Sequence, residues 1–261
     1  MVLSEVDPSR VKAVAFDLDG VIYIGNRLVP GVSTLLETLK ERGIQTFFFT
    51  NNSMHPRPGV HQKLAALGVA IPLGCLYTTA HFAGAFLKER GLKTFHGMGT
   101  KALRVEVEAY GLIHTEFRSE AILVGLDPEF DYRKLKVAMR VYFSSPGCRI
   151  FACNRDSTYP VEDGLNPGCG PAIAALEDAT GHGVDEIVGK PSPFMLKKLA
   201  DDWGLSFGQI LVVGDSYASD IAMAKTCGSP SVLFSRESRT DPPLPDVPLV
   251  RHLKDILWYL D

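Results

Sequence analysis

The alternation of apolar and polar positions sorts the chain into short buried runs and amphipathic stretches. Residues 11–16 form an apolar run that stops at Asp17-Leu18-Asp19-Gly20, as a buried strand does on entering a loop. Residues 31–42 place Val32, Leu35, Leu36 and Leu39 on one helical stripe, with Gly43 behind them as a helix stop. Residues 44–49 are a second apolar run, rich in phenylalanine, ending in Thr50-Asn51-Asn52-Ser53. Strand, helix and strand on short links make a βαβ unit, so a parallel sheet with a right-handed crossover is expected.

The pattern returns late in the chain. Strands are expected at 186–188, 210–213 and 231–234, and helices at 194–203, 220–227 and 253–260. The middle has its own α/β rhythm, with strands at 94–96, 121–124 and 149–152 and helices at 101–110, 132–144 and 171–180. Its strands do not end in the acidic or phosphate-binding residues that close the outer ones. The fold class is therefore α/β, with a Rossmann-like parallel-sheet core from 1–80 and 184–261 and a smaller α/β domain, 81–183, inserted in it. Residues 241–248 are proline-rich and read as a surface loop.

Composition narrows the function. The chain has 261 residues, 46% hydrophobic and 22% charged, enough for one large core or two modest ones. A formal net charge of -3 gives no global attraction to nucleic acid or to an anionic membrane, so neither is an expected partner. Residues 1–10 carry Glu5 and Asp7 and no apolar stretch, and no apolar run is long enough to span a bilayer; a cytoplasmic chain without a leader is expected. Cys75, Cys148, Cys153, Cys169 and Cys227 form no CxxC pair and read as free thiols, although Cys148 and Cys153 flank one expected strand.

Four expected strand exits finish on one polar theme: Asp17 with Asp19, Thr50 to Asn52, Lys190, and Asp215 with Asp220. Ligands of open parallel sheets bind at the carboxyl ends of strands, so these segments are expected in one crevice. Two carboxylates as close as Asp17 and Asp19 repel unless a cation neutralises them or one takes a proton. A hard cation such as magnesium suits them, with Asp215 as a further oxygen donor. The rival reading of Asp17-Leu18-Asp19-Gly20 is an Asx-turn. Thr50, Asn51 and Asn52 offer hydroxyl, amide and backbone N–H groups for a phosphate, or simple turn chemistry. Pro191 disfavours a helical Lys190, whose ammonium is a candidate for offsetting phosphate charge. Asp220 is read either as a helix cap or as a group that orients metal-bound water.

As a set, Asp17-Leu18-Asp19-Gly20-Val21-Ile22-Tyr23, Phe47-Phe48-Phe49-Thr50-Asn51-Asn52-Ser53, Gly189-Lys190-Pro191 and the segment from Gly214 to Ile221 resemble the four ordered motifs of the haloacid dehalogenase (HAD) superfamily. Tyr23, the TNNS string and the inserted middle are similar to the NagD / p-nitrophenylphosphatase subfamily. The resemblance implies a HAD-type phosphatase, a phosphoric monoester hydrolase that takes a small phosphorylated metabolite, with room for a homodimer. It implies Asp17 as nucleophile and Asp19 as general acid and base. Magnesium would be held by the Asp17 carboxylate, the Asp19 carbonyl and Asp215. Thr50, Asn51, Asn52 and Lys190 would hold the phosphoryl group. The inserted domain would act as a cap that sets the substrate, with Asn154, Arg155, Asp156 and the loop 163–170 as candidates. The chain departs from the subfamily pattern at Ser216, Tyr217 and Ser219. One rival is a non-catalytic HAD-like phosphate-binding regulatory module. The other is a nucleotide-binding Rossmann-type domain, against which the first strand is followed by neither a GxGxxG nor a Walker loop.

Overall fold

The strand Ala13–Asp17 is buried along its whole length, which is why its sequence is an unbroken apolar run rather than an alternating one. It lies inside a six-stranded sheet ordered Leu249–Val250, Ser231–Phe234, Ile210–Gly214, Ala13–Asp17, Gln45–Thr50, Leu76–Thr78. Its two neighbours run parallel to it, with Ala13 opposite Ile210 on one side and Gln45 on the other. From Ala13–Asp17 the chain first builds toward Gln45–Thr50 and only later toward Ile210–Gly214. The order thus reverses between Ala13–Asp17 and Ile210–Gly214, and ligands of such sheets bind outside the carboxyl ends at the reversal.

The computed structural model describes residues 11–161, 163–236 and 246–260. The opening segment 1–10 and residues 241–245 of the expected proline-rich loop lie outside the described residues. The chain divides into two compact units, one of residues 1–49, 64–76 and 195–261, the other of 50–63 and 77–194.

The second unit has its own parallel sheet, ordered Glu186–Ile187, Arg149–Ala152, Ala121–Val124, Thr94–Met98, Ile113–His114. Helices Tyr132–Ser144 and Gly170–Thr180 pack on it through Ala138, Val141, Ile173 and Leu176, all buried. Glu106 ties three helix segments together: its carboxylate accepts from the Arg57 backbone N–H at 2.7 Å and meets His81 Nδ1 at 2.9 Å. Two small antiparallel hairpins complete the described strands, Tyr23–Ile24 with Arg27–Leu28 and Thr158–Val161 with Gly164–Pro167.

Several expectations needed correction. Residues 220–227 were expected as one helix, but a π turn, Tyr217–Ile221, precedes the helix Ala222–Cys227. The tail is a 3-10 helix, Leu253–Tyr259. Helices Arg57–Ala66 and Thr79–Glu89 had no expectation. The five cysteines are free thiols. Burial pushes the Cys169 thiol up to about 12, so it is a neutral packing group rather than a nucleophile. No helix among the described residues is long and apolar enough to cross a membrane.

Candidate active site

The carboxylates of Asp17, Asp215 and Asp220 meet at the order reversal of the first sheet, with one oxygen of each within 4.8 Å of the others. Asp17 closes its strand and is 8% exposed; Asp220 is 2% exposed. Asp215 directly follows the strand Ile210–Gly214. Like charges at this spacing repel, and a hard divalent cation is the ordinary remedy for such an all-oxygen set. The helix-cap reading of Asp220 is not what the structure shows. The following helix is capped at Ile221 with no side-chain bond, and the Asp220 carboxylate instead accepts the Ser216 N–H at 3.1 Å.

The Asp19 carboxylate is not one of this group. After Asp17 the chain winds tightly, with Ile22 and Tyr23 N–H both donating to Leu18 O. Gly20 takes φ 88, and its N–H donates to Tyr23 O. This turn brings Tyr23 back to Asp19, and its hydroxyl donates to the Asp19 carboxylate. Tyr23 is 2% exposed. Its burial, with the charges of Asp19 and Asp17, pushes the phenol well above its ordinary range, so it is a fixed donor at any working pH. The sequence marked Tyr23 only by resemblance; nothing in the apolar pattern says that its hydroxyl returns to Asp19.

The second unit assembles the other candidates. The Asn51 side chain clamps the Lys190 backbone from both sides: Nδ2 donates to Lys190 O at 3.0 Å, and Oδ1 accepts from Lys190 N at 2.8 Å. Lys190 is 3% exposed, unlike most lysines, and its peptide to Pro191 is cis. Thr50 Oγ1 accepts from Asn52 N at 3.0 Å, and Thr50 O accepts from Thr79 Oγ1 at 3.1 Å. The strand end after Ala152 supports the same loop: Asn154 Nδ2 donates to Asn51 O at 2.9 Å, and Asn51 Nδ2 lies 3.3 Å from Asp156 Oδ2. Asn154 and Asp156, expected as substrate contacts, are thus engaged with Asn51. Arg155 is engaged with Glu177 at 2.5 Å. Tyr217 takes no part in the acidic group; its hydroxyl accepts from Lys225 at 2.7 Å and donates to Asp246 at 3.2 Å.

A haloacid dehalogenase-like hydrolase family profile matches residues 14–113, and a HAD-hydrolase-like profile matches 187–255. Chronophin of Mus musculus is 35% identical over 237 residues, which cover 86% of this chain and 80% of chronophin. The chain belongs to the haloacid dehalogenase-like hydrolases. Within that family it is a phosphatase, a phosphoric monoester hydrolase. A 4-nitrophenylphosphatase structure from Thermotoga maritima superposes with a TM-score of 0.89 at 27% identity, covering 97% of this chain and 99% of that one. The glycerol phosphate phosphatase of Mycobacterium tuberculosis in complex with magnesium gives 0.83 at 27% identity, over 95% of this chain and 77% of that one.

Proposed function

We propose that this HAD phosphatase hydrolyses small phosphate monoesters through a phosphorylated Asp17, with magnesium as its metal. The observation that carries the reading is the division of labour among the carboxylates of the first unit. Asp17, Asp215 and Asp220 share one small volume, whereas Asp19 is not one of that group and its carboxylate is engaged by the Tyr23 hydroxyl. A cluster of three acids suits a metal and a nucleophile; a separate carboxylate suits proton transfer.

The donor set fits a hard divalent cation, because every candidate ligand is a carboxylate or carbonyl oxygen. Asp17, the Asp19 carbonyl and Asp215 would hold it, with Asp220 orienting its water shell. When bound, it would offset the charge of Asp17 and of the phosphoryl group as they approach. The Asp17 carboxylate attacks phosphorus in line and becomes an acyl phosphate, while Asp19 gives a proton to the departing ester oxygen. Asp19, now a carboxylate, takes a proton from the water that attacks the acyl phosphate. Inorganic phosphate leaves, and both acids return to their starting states. Thr50, Asn51, Asn52 and Lys190 hold the phosphoryl oxygens in this scheme. The inserted segment 81–183 acts as a cap for the organic part of the ester, with Asn154, Arg155 and Asp156 shaping it through their bonds to Asn51 and Glu177. Substrates of this kind include p-nitrophenyl phosphate, sugar phosphates, glycerol phosphate, nucleoside monophosphates and phosphoglycolate.

The test is a turnover panel of such esters with and without magnesium, followed by mass spectrometry of acid-quenched enzyme. A phosphate adduct on the peptide containing Asp17 is expected; an adduct elsewhere, or no turnover of any ester, would reject the scheme. Two expectations accompany it. Chelation should lower p-nitrophenyl phosphate turnover by at least about a hundredfold, given the several kcal/mol a metal supplies to transition-state charge. Added magnesium should restore it, and metal-independent turnover would remove the cation from the scheme. Tyr23→Phe keeps the buried ring and deletes only the hydroxyl. A hydrogen bond to a charged group contributes about 1.5–3 kcal/mol, so kcat should fall about tenfold or more with KM little changed. An unaltered kcat would show that Asp19 does not depend on that hydroxyl.

A further inference from the structure

We propose that the second compact unit carries a ligand site of its own, for a small hydroxylated phosphate-bearing metabolite, at the carboxyl ends of strands Thr94–Met98 and Ala121–Val124. The sheet of this unit reverses its order between those two strands. From Thr94–Met98 the chain goes to Ile113–His114 on one side and then returns to Ala121–Val124 on the other. A cavity of about 730 Å³ opens there, walled by the turns that leave both strands. That volume accommodates a phosphorylated sugar or a nucleotide.

The chemistry of the wall selects the ligand. The turn Gly97-Met98-Gly99-Thr100-Lys101 runs from the strand straight into the helix Lys101–Glu108. The pattern of apolar and polar positions did not mark this turn as anion-binding. Thr100 caps the helix by accepting Leu103 N–H, which leaves the amides of Lys101 and Ala102 at the helix mouth, where an anion is favoured. Lys101, Arg104 and Arg133 line the cavity beside the carboxylates Glu116 and Glu129, and Arg133 also lies in the field of Asp131, so Lys101 and Arg104 are the cations at the helix mouth. Lys134 is already paired with Asp127 at 2.6 Å.

Two imidazoles point to more than a basic surface. His96 and His114 both line the cavity, with ring centroids 5.4 Å apart. His96 is 5% exposed; its Nδ1 meets Thr115 O at 3.0 Å, and its Nε2 has no partner among the described residues. The Nε2 of His114 is buried and also without a partner. A solvent-excluded atom such as the His114 Nε2 is ordinarily satisfied, whereas the Nε2 of His96 is not solvent-excluded. A carbonyl at Nδ1 requires the proton there, so the Nε2 of neutral His96 is an acceptor. Burial lowers the pKa of both rings and keeps them neutral near pH 7. The cations therefore suit phosphate oxygens, and His96 suits a hydroxyl, either of the ligand or of hydrogen phosphate.

Inorganic phosphate and sulfate are suitable probes for the full-length protein, since neither is turned over and only phosphate carries a proton near neutral pH. With histidine-labelled protein, the His96 and His114 resonances should shift together and saturate at millimolar phosphate, with sulfate about tenfold weaker. Lys101→Ala and Arg104→Gln should each weaken that shift about tenfold while p-nitrophenyl phosphate turnover stays within about twofold. Lys101 is exposed, and Gln keeps the Arg104 stem that packs on Gly97, so both variants should fold. Silent His96 and His114 signals up to about 20 mM phosphate, or the same shift in both variants, would overturn the site. Equal response to phosphate and sulfate would overturn the acceptor role of His96 and the ligand class with it.

Discussion

Asp17→Asn is expected to remove p-nitrophenyl phosphate turnover, with kcat falling by about four orders of magnitude or more, the scale on which loss of a covalent nucleophile acts. The substitution preserves the shape of a side chain that is 8% exposed at the end of a central strand, so the thermal midpoint should change by a few degrees at most. One negative charge leaves a cluster of three. Repulsion within the cluster weakens, and the variant should be no less stable than the parent at low magnesium. An amide cannot form the acyl phosphate, so quenched enzyme should carry no adduct on that peptide. The experiment separates two readings of Asp17. If it served only as a metal ligand, saturating magnesium would recover a substantial part of kcat; as nucleophile it is beyond rescue at any concentration. Recovery of even a tenth of parental kcat would rule out the covalent route.

Gly20→Ala should damage the metal site although it removes no functional group. Gly20 sits at φ 88, where a side chain is strained, and a methyl there would lie only 2.9 Å from Asp215 Cγ, driving into its carboxylate. The strain costs about 1–2 kcal/mol, a fall in thermal midpoint of roughly 2–8 °C for a chain of this size. The collision displaces a member of the acidic cluster, so half-saturating magnesium should rise by about 10- to 100-fold. Gly31→Ala is the matched control, because Gly31 has φ 91 with nothing within 4 Å of the added methyl. It should reproduce the loss of stability and leave the magnesium requirement alone. Parallel behaviour of the two variants would show that backbone strain, not the Asp215 contact, governs the Gly20 effect.

Legibility of the sequence followed the physics of each element. Helix Tyr132–Ser144 and strands Ala121–Val124, Arg149–Ala152 and Ser231–Phe234 have the expected bounds, since the helix presents one 3.6-residue stripe and the strands are short buried runs bounded by polar or turn residues. Helix Thr79–Glu89 went unseen because Ala80, Phe82, Ala83, Phe86 and Leu87 bury it nearly all round and blur the 3.6 period. Helix Arg57–Ala66 opens with Pro58 and Gly59 and has no single apolar stripe. Strands of two residues, such as Tyr23–Ile24, are too short to show any period. For the site, residue type and strand-exit position pointed to Asp17 and Asp215. What the sequence could not carry were contacts made across long separations. The Asn51 bonds to Lys190 span 139 positions, and those to Asn154 and Asp156 span 103 and 105. The commitment of Arg155 to Glu177 was equally out of reach.

The Asn51 clamp has a consequence for engineering. It grips the main chain of residue 190, not its side chain, so the frame around that position does not depend on which amino acid occupies it. Position 190 is then an exchangeable socket in a fixed mount. Charge can be changed there with the main chain still gripped by Asn51, within the space that a residue only 3% exposed leaves for its side chain. Asn51 is the opposite kind of position: an aspartate would turn its donor into a second acceptor facing the Lys190 carbonyl, and the mount itself would open.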